Sequence, residues 1–469
     1  MTTAEKLSFR EKFCYGFGDL ASVLYWQTFM MYLLFFYTDV FGITAAAAGW
    51  MFLVSRFWDG VNDPIMGMIA DRTSTRWGKF RPYLLWLAVP FAVMGVLTFT
   101  TPDFSPSGKL IWAWVTFTLL MMLYTAINIP YSALLGVLSP NPDDRTAAAS
   151  YKFAFAYTAG AIVSFSLLPM AAKLGGGNAA KGWQLSFVVY GIAAVGFFLI
   201  AFAFTRERVK PPKTQTSSMW KDLGTLVHNP PWITLLFATL IFILFVATRG
   251  SVSVHYFKYY VGEQQLTLFG HSWTLGYEWT ASLFNGIGQA AAILGALFTA
   301  WFATVVGKKA AFQIYFLIAI IFTAALYPLR PDQLILIYVT QIIGSFTGGS
   351  LSALIWAMYA DTADFGEWKT GRRTTGLIFS ASTMSQKIGW AIGGFVAGIL
   401  LSVVGFQANT APSPAVREGL RLMMSLIPAG FGIICMIIMA LYHLNEKKMA
   451  GIESDLKARR IERGETAEA

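Results

Sequence analysis

Ser55–Pro82 reads SRFWDGVNDPIMGMIADRTSTRWGKFRP, and it sets two aspartates, Asp59 and Asp63, inside a segment otherwise apolar enough to cross a bilayer. Arg56, Asp59, Asn62 and Asp63 fall at i, i+3, i+6 and i+7, so a helix puts all four on one face. A charged side chain at the bilayer centre costs on the order of 2.5–3.5 kcal/mol. That stripe therefore faces the interior of a helix bundle. Pro64 lacks an N–H and clashes with the carbonyl of Gly60, which frees backbone oxygen beside the carboxylates. An oxygen-rich anionic set suits a small hard cation. Two neighbouring carboxylates can instead share a proton, because each raises the other's pKa. A purely structural alternative is that Arg56 and its neighbours pair only with charges on other helices.

The rest of the chain places this stripe in an all-α integral membrane protein. Of its 469 residues 56% are hydrophobic and 13% charged, with a mean hydropathy of +0.55, whereas a soluble domain averages about 25% charged residues. Apolar runs and breakers give twelve spans, at roughly 13–40, 46–71, 82–102, 108–139, 147–172, 181–205, 231–261, 275–305, 310–328, 333–363, 374–402 and 417–444. The opening MTTAEKLSFREKF is polar and lacks the apolar core of a cleavable signal. A long polar segment between spans six and seven divides the chain. The expected parts are a six-helix half over 1–205, a cytoplasmic loop over 206–230, a second half over 231–444 and a tail over 445–469.

With both termini cytoplasmic, outside loops carry only Lys109, Lys173, Lys181, Arg330, Arg417 and Arg421. Spans carry Arg56, Lys152, Arg249, Lys258 and Lys387, and the remainder of the 35 Lys and Arg lie on cytoplasmic segments. This is the positive-inside bias, and it accounts for the net charge of +10 without a nucleic-acid partner. Cys14 and Cys435 stand at opposite ends and suggest neither a disulfide framework nor a metal site. The four histidines are scattered, and no phosphate loop or nucleophile–base set is visible, so an enzyme is not expected. A faint repeat links DDRTAAASYKFAFAYTAGAIVSF (143–165) with TGRRTTGLIFSASTMSQKIGWAIGGF (370–395), at spans five and eleven. That is the spacing of duplicated six-helix halves.

Other polar residues sit at depth. Span four, LYTAINIPYSALLG, brings Thr125 as a candidate cation ligand beside Tyr124 and Asn128, which offer hydrogen bonds to a polyhydroxylated ligand. Lys387 and Arg249 lie midway along spans eleven and seven; Lys387 is a candidate to pair with Asp59 or Asp63 until a cation displaces it. Trp26 and Gln27 on span one, and Trp356 on span ten, present aromatic and amide groups suited to a sugar ring. Lys152 lies nearer the cytoplasmic end, where a lysine can snorkel.

YGFGDLAS, YTDVFG, FWDGVNDPIMGMIADRTSTRWGKFRPY, ADTADFGEWKTGRRTTGLIFSA and SQKIGWAIGG together resemble the glycoside–pentoside–hexuronide:cation symporters, the melibiose permease group of the major facilitator superfamily. The resemblance spans nearly the whole chain. It implies the major facilitator fold, alternating access, a bacterial inner-membrane location and sugar uptake driven by Na⁺, Li⁺ or H⁺. It also implies that Asp59, Asn62, Asp63 and Thr125 hold the cation and that Lys387 lies beside them. Tyr124 and Thr383 match sugar-pocket positions, and Lys152 stands where many members have arginine. Departures concern the sugar: Asn128 replaces an aspartate that holds the galactoside, the aromatic one turn later is Ser132, and the helix-one sugar aspartate aligns with Val23. Asp19 belongs instead to GDLAS, which looks more like the xyloside and glucuronide branch. Arg249 and Lys152 also leave room for an anionic sugar. On the cytoplasmic side, Asp71, Arg72, Arg76, Lys79 and Arg81 are expected to form a gating charge network with Asp361, Asp364, Glu367, Arg372 and Arg373.

The expected protein is thus a monomeric secondary symporter for a glycoside and a monovalent cation, without a cofactor. Asn62 and Thr125 point to Na⁺, since an amide and a hydroxyl are not needed to carry a proton. The alternatives are a proton-driven exporter of drugs or lipids on the same fold, or a sugar sensor that does not transport; the short tail argues against a sensor.

Overall fold

The computed structural model describes residues 7–139, 141–208, 229–268, 271–371 and 375–462. Its helices are α1 (Phe9–Met31), α2 (Leu33–Phe35), α3 (Ala45–Arg72), α4 (Arg81–Trp86), α5 (Ala88–Thr98), α6 (Pro106–Leu138), α7 (Pro142–Gly175) and α8 (Ala179–Phe204). After the central loop come α9 (Pro230–Tyr256), α10 (Tyr277–Val306), α11 (Lys308–Ala324), α12 (Leu334–Thr370), α13 (Thr375–Val403), α14 (Pro414–Met424), α15 (Leu426–Ala440) and α16 (Glu446–Glu462). Single π-helical turns, Phe36–Phe41 and Phe257–Val261, end the first and seventh spans. An antiparallel hairpin, β1 (Gln264–Leu268) with β2 (His271–Leu275), is an addition to the all-helical expectation.

The boundaries follow from local chemistry. Ser8 and Glu11 form a capping box at the start of α1. Thr44 and Asn178 accept from Ala47 and Lys181 N–H at the starts of α3 and α8. The expected third span is broken into α4 and α5, because Pro90 has no N–H to offer the carbonyl of Trp86.

Eight described helices are long and apolar enough to cross a membrane, and Phe9–Met31 with Leu33–Phe41, bent by 61°, makes a ninth. The three expected spans outside that set are α3, lowered in hydropathy by Arg56, Asp59 and Asp63; the broken α4–α5; and α11, which has 17 residues. Each shortfall has a local cause, so twelve spans remain consistent with the structure.

The chain forms two compact units. One draws on Met1–Lys213, Gly250–Gln289 and Gly394–Leu420; the other on Thr214–Arg249, Ala290–Gly393 and Arg421–Ala469. In the first, α1 packs on α7 and α8, and α3 on α6, around buried Tyr25, Phe91, Phe99, Trp183 and Phe187. In the second, α11 packs on α12 and α15 around Phe242, Phe245, Phe312 and Phe316.

Each unit also holds one cytoplasmic turn by a carboxylate. Gly78 (φ +109°) precedes three N–H groups, of Lys79, Phe80 and Arg81, that all donate to Glu207 at 2.9, 2.7 and 3.0 Å. Gly307 (φ +89°) stands at the equivalent turn of the second unit, where the Lys308 N–H donates to Glu446 at 2.6 Å. A Cβ at either glycine would come within 2.4 Å or less of the glutamate's Cδ. The motifs WGKF and VGKK, and the glutamate after the last span of each half, repeat together; this is a stronger internal match than the one between spans five and eleven.

Candidate functional site

The polar stripe of α3 is assembled with α1, α6 and α7 inside the first unit. Arg56 donates through NH1 to Asp59 Oδ2 at 2.8 Å, and both side chains are almost wholly buried. One turn on, Asp63 Oδ1 accepts from the Thr125 hydroxyl of α6 at 3.0 Å. Asn62 lies on the same helix, half-buried. The helix is continuous through Pro64, which keeps the four positions on one face.

An aromatic wall adjoins the charges. Trp26 of α1 stacks on Tyr124 of α6, with ring centres 5.3 Å apart and planes inclined by 26°. The Arg56 guanidinium stands 4.7 Å from the Trp26 ring centre. The Tyr124 hydroxyl lies in the combined field of Asp19, Arg56, Asp59 and Asp63, and the Asn128 amide donates to the Tyr124 carbonyl at 2.9 Å. Arg56 therefore links the carboxylates to the aromatic wall.

Asp19 and Lys152 meet at 3.9 Å, and Lys152 stands 5.4 Å from the ring centre of Tyr131. Tyr131 was not foreseen as a site residue. Its hydroxyl donates to the Tyr15 carbonyl while Tyr15 donates to the Tyr131 carbonyl, at 2.7 and 3.1 Å, with their rings stacked. This reciprocal pair fixes α1 against α6 beneath the site. Two tyrosines far apart in sequence carry no signal of it. Gln27, expected at the sugar, donates to Met31 Sδ within its own helix at 2.7 Å.

Four further expected residues belong to the second unit. Arg249 lies about two turns before the end of α9, Trp356 is 38% exposed on α12, and Thr383 and Lys387 stand one turn apart on α13. Among the gating residues, Asp361 is held by Lys308, whose Nζ donates to both carboxylate oxygens at 2.6 and 2.8 Å. Asp364 and Glu367 follow on the same helix, half-buried. Lys79 and Arg81 contribute backbone N–H groups to the Glu207 clamp, and the Arg81 guanidinium donates to the Phe202 carbonyl at 2.7 Å. Burial lowers the Arg81 pKa from its ordinary value; the Glu207 carboxylate opposes this shift and the Arg206 charge adds to it. Arg72 is exposed at the end of α3, and Arg76 lies over Trp77. Arg372, Arg373 and the side chain of Asp71 lie outside the described residues.

Buried charge facing the interior of a bent, multi-span helical bundle is the arrangement of a membrane transporter. Residues 14–446 match the family model described as MFS/sugar transport protein, and the chain belongs to that family. It is 37% identical to the isoprimeverose transporter of Lactiplantibacillus pentosus over 94% of this chain and 91% of that one. It is 33% identical to the putative glycoside/cation symporter YagG of Escherichia coli (strain K12), over 98% and 97% of the two chains. Among solved structures, a bacterial homologue of the human lysosomal transporter Spinster, inward-facing and unoccupied, shares the fold with a TM-score of 0.65, at 14% identity over 92% of this chain and 96% of that one. The protein is a secondary active transporter, multi-pass in the bacterial inner membrane.

Proposed function

We propose that the chain imports a glycoside together with Na⁺, the cation being held by Asp59, Asn62, Asp63 and Thr125 and the sugar by the wall of Trp26 and Tyr124. The names of its relatives, an isoprimeverose transporter and a glycoside/cation symporter, support a sugar cargo. The observation that carries the reading is the position of Arg56, ion-paired to Asp59 on one side and stacked over Trp26 on the other. A cation arriving at Asp59 competes with the guanidinium. Displacing Arg56 changes the wall against which the sugar rests. Each ligand then alters the other's affinity by the same factor, which is what coupling requires. The donor set fits an alkali cation: two carboxylates, an amide and a hydroxyl, all oxygen.

The test is sugar-triggered ion movement in proteoliposomes, with Na⁺ and internal pH followed separately across xylosides, galactosides, glucuronides and sulfoquinovose. Na⁺ uptake with the sugar is expected. Acidification without Na⁺ dependence would recast the carboxylates as a proton relay, and no movement of either ion with any sugar would remove the symport reading. On the sugar side, Trp26→Ala is expected to raise KM about tenfold, the equivalent of ~1.4 kcal/mol, with little change in maximal rate. An unchanged KM would place the sugar elsewhere.

A further inference from the structure

The outer end of the first span carries a second buried carboxylate that cargo binding does not use. Asp39 lies in the π-helical turn Phe36–Phe41, its side chain wholly buried. Lys258 Nζ donates to Asp39 Oδ1 at 2.8 Å, and the Tyr259 hydroxyl donates to the same oxygen. Oδ2 accepts from the Thr38 hydroxyl at 2.7 Å and faces His255 Nε2 at 3.3 Å. Asn409, between α13 and α14, closes the ring: its Nδ2 donates to the Asp39 carbonyl, its N–H donates to the Tyr259 hydroxyl, and its Oδ1 accepts from Lys258, at 2.8, 2.7 and 2.6 Å. All these residues belong to the first compact unit.

Symmetry gives the cluster a direction. YTDVFG (37–42) and FKYYVG (257–262) are equivalent ends of spans one and seven, each a π turn closed by a positive-φ glycine, Gly42 at +88° and Gly262 at +69°. Asp39 and Tyr259 each stand three residues before that glycine and bond to one another. Thr38 and Lys258 each stand four before it, and both donate to Asp39. The two repeats thus meet through the same positions, as in a self-complementary contact. With the N-terminus cytoplasmic, all three contributing segments lie on the outer side.

A buried carboxylate is stable with its full set of donors, or hydrated with none of them, but not between. Such a group makes a two-state element rather than a graded one. Single π turns, with their looser i→i+5 bonding, concentrate at functional positions. We propose that Asp39 is the outer latch of the transport cycle: its bonds to Lys258, Tyr259 and, through the backbone, Asn409 close the outer side, and their release admits cargo from it. The proposal rests on the alternating-access transporter reading, but not on which sugar or ion is carried.

Ser253, buried one turn before this cluster on α9, reports the state of the latch. With Cys14 and Cys435 replaced by serine, Ser253→Cys would be labelled by a membrane-impermeant maleimide in right-side-out vesicles. Slow labelling is expected with Asp39 present, rising roughly tenfold or more with Asp39→Asn, with a smaller rise for Asn409→Ala. Cys435, kept alone in the same latch variants, monitors general loosening and is expected to stay protected. Unchanged Ser253→Cys labelling in both latch variants overturns the proposal, as does equal exposure of Cys435. Because labelling needs no sugar, it can rise even where no sugar-driven ion flux is found; that result would keep the latch and refute symport. If Asp39→Asn does not yield folded protein, Asn409→Ala and Tyr259→Phe decide the question by the same readout.

Discussion

Asp59→Asn is expected to lower sugar accumulation against a gradient by roughly 100-fold, near the upper end of what coupling free energies of about 1–3 kcal/mol deliver. Sugar exchange at equal concentrations should survive. The cause is specific: the substitution keeps the shape of the side chain and removes the charge for which a cation and Arg56 compete. It also deprives a guanidinium that is almost wholly buried of its counter-charge, and breaking a buried pair from one side typically costs about 3–5 kcal/mol. Lost accumulation alone would therefore not separate coupling from stability. Pairing Asp59→Asn with Arg56→Gln separates them, because the double variant has neither charge to bury. Its thermal stability should return towards the parent's while accumulation stays low. Uphill accumulation at the parent's level in Asp59→Asn vesicles would remove Asp59 from the cation site. Recovery of accumulation in the double variant would mean that the charge pair is structural.

How much of this was legible beforehand depended on where each partner lies. The α3 stripe could be read because its spacing sets Arg56, Asp59, Asn62 and Asp63 on one face, and the contacts of Asp63 with Thr125 and of Trp26 with Tyr124 follow the expected grouping. Composition and breakers located the spans, yet did not separate α4 from α5; Pro90 was visible, but prolines also occur inside intact helices here, as at Pro130 and Pro169. The hairpin lies between the expected seventh and eighth spans, where runs of apolar residues and breakers carry no signal of it. The Asp39 cluster went unseen because its partners lie 219, 220 and 370 positions away. YTDVFG registered only as a family motif. Asp361, expected in a charge network with the loop after α3, has Lys308, immediately after Gly307, as a bidentate partner. The glutamate clamps were hidden for a different reason. A carboxylate that bonds to backbone N–H groups requires no particular side chain opposite it, so only the glycine that permits the turn leaves a trace.

That trace supports the other large effect. Glu207→Ala removes the acceptor for three N–H groups at once, and charge-assisted bonds of this kind contribute about 1.5–3 kcal/mol each when buried. Glu207 is only half-buried, so water takes over part of the role. The net loss is expected to be on the order of 2 kcal/mol, with the apparent Tm in detergent lower by several degrees. Gly78→Val should be at least as damaging: φ at +109° excludes a β-branched residue, and its Cβ would stand 2.4 Å from Glu207 Cδ. Combining the two substitutions removes that clash but not the backbone strain, so the double variant should melt below Glu207→Ala alone. Glu446→Ala, which takes one N–H bond from Lys308 rather than three, should cost less. Melting curves by intrinsic tryptophan fluorescence would rank the four. If Glu207→Ala melts with the parent, the clamp contributes nothing to stability; if Glu446→Ala is the more damaging, the tail helix α16 and not the turn is what Glu446 holds.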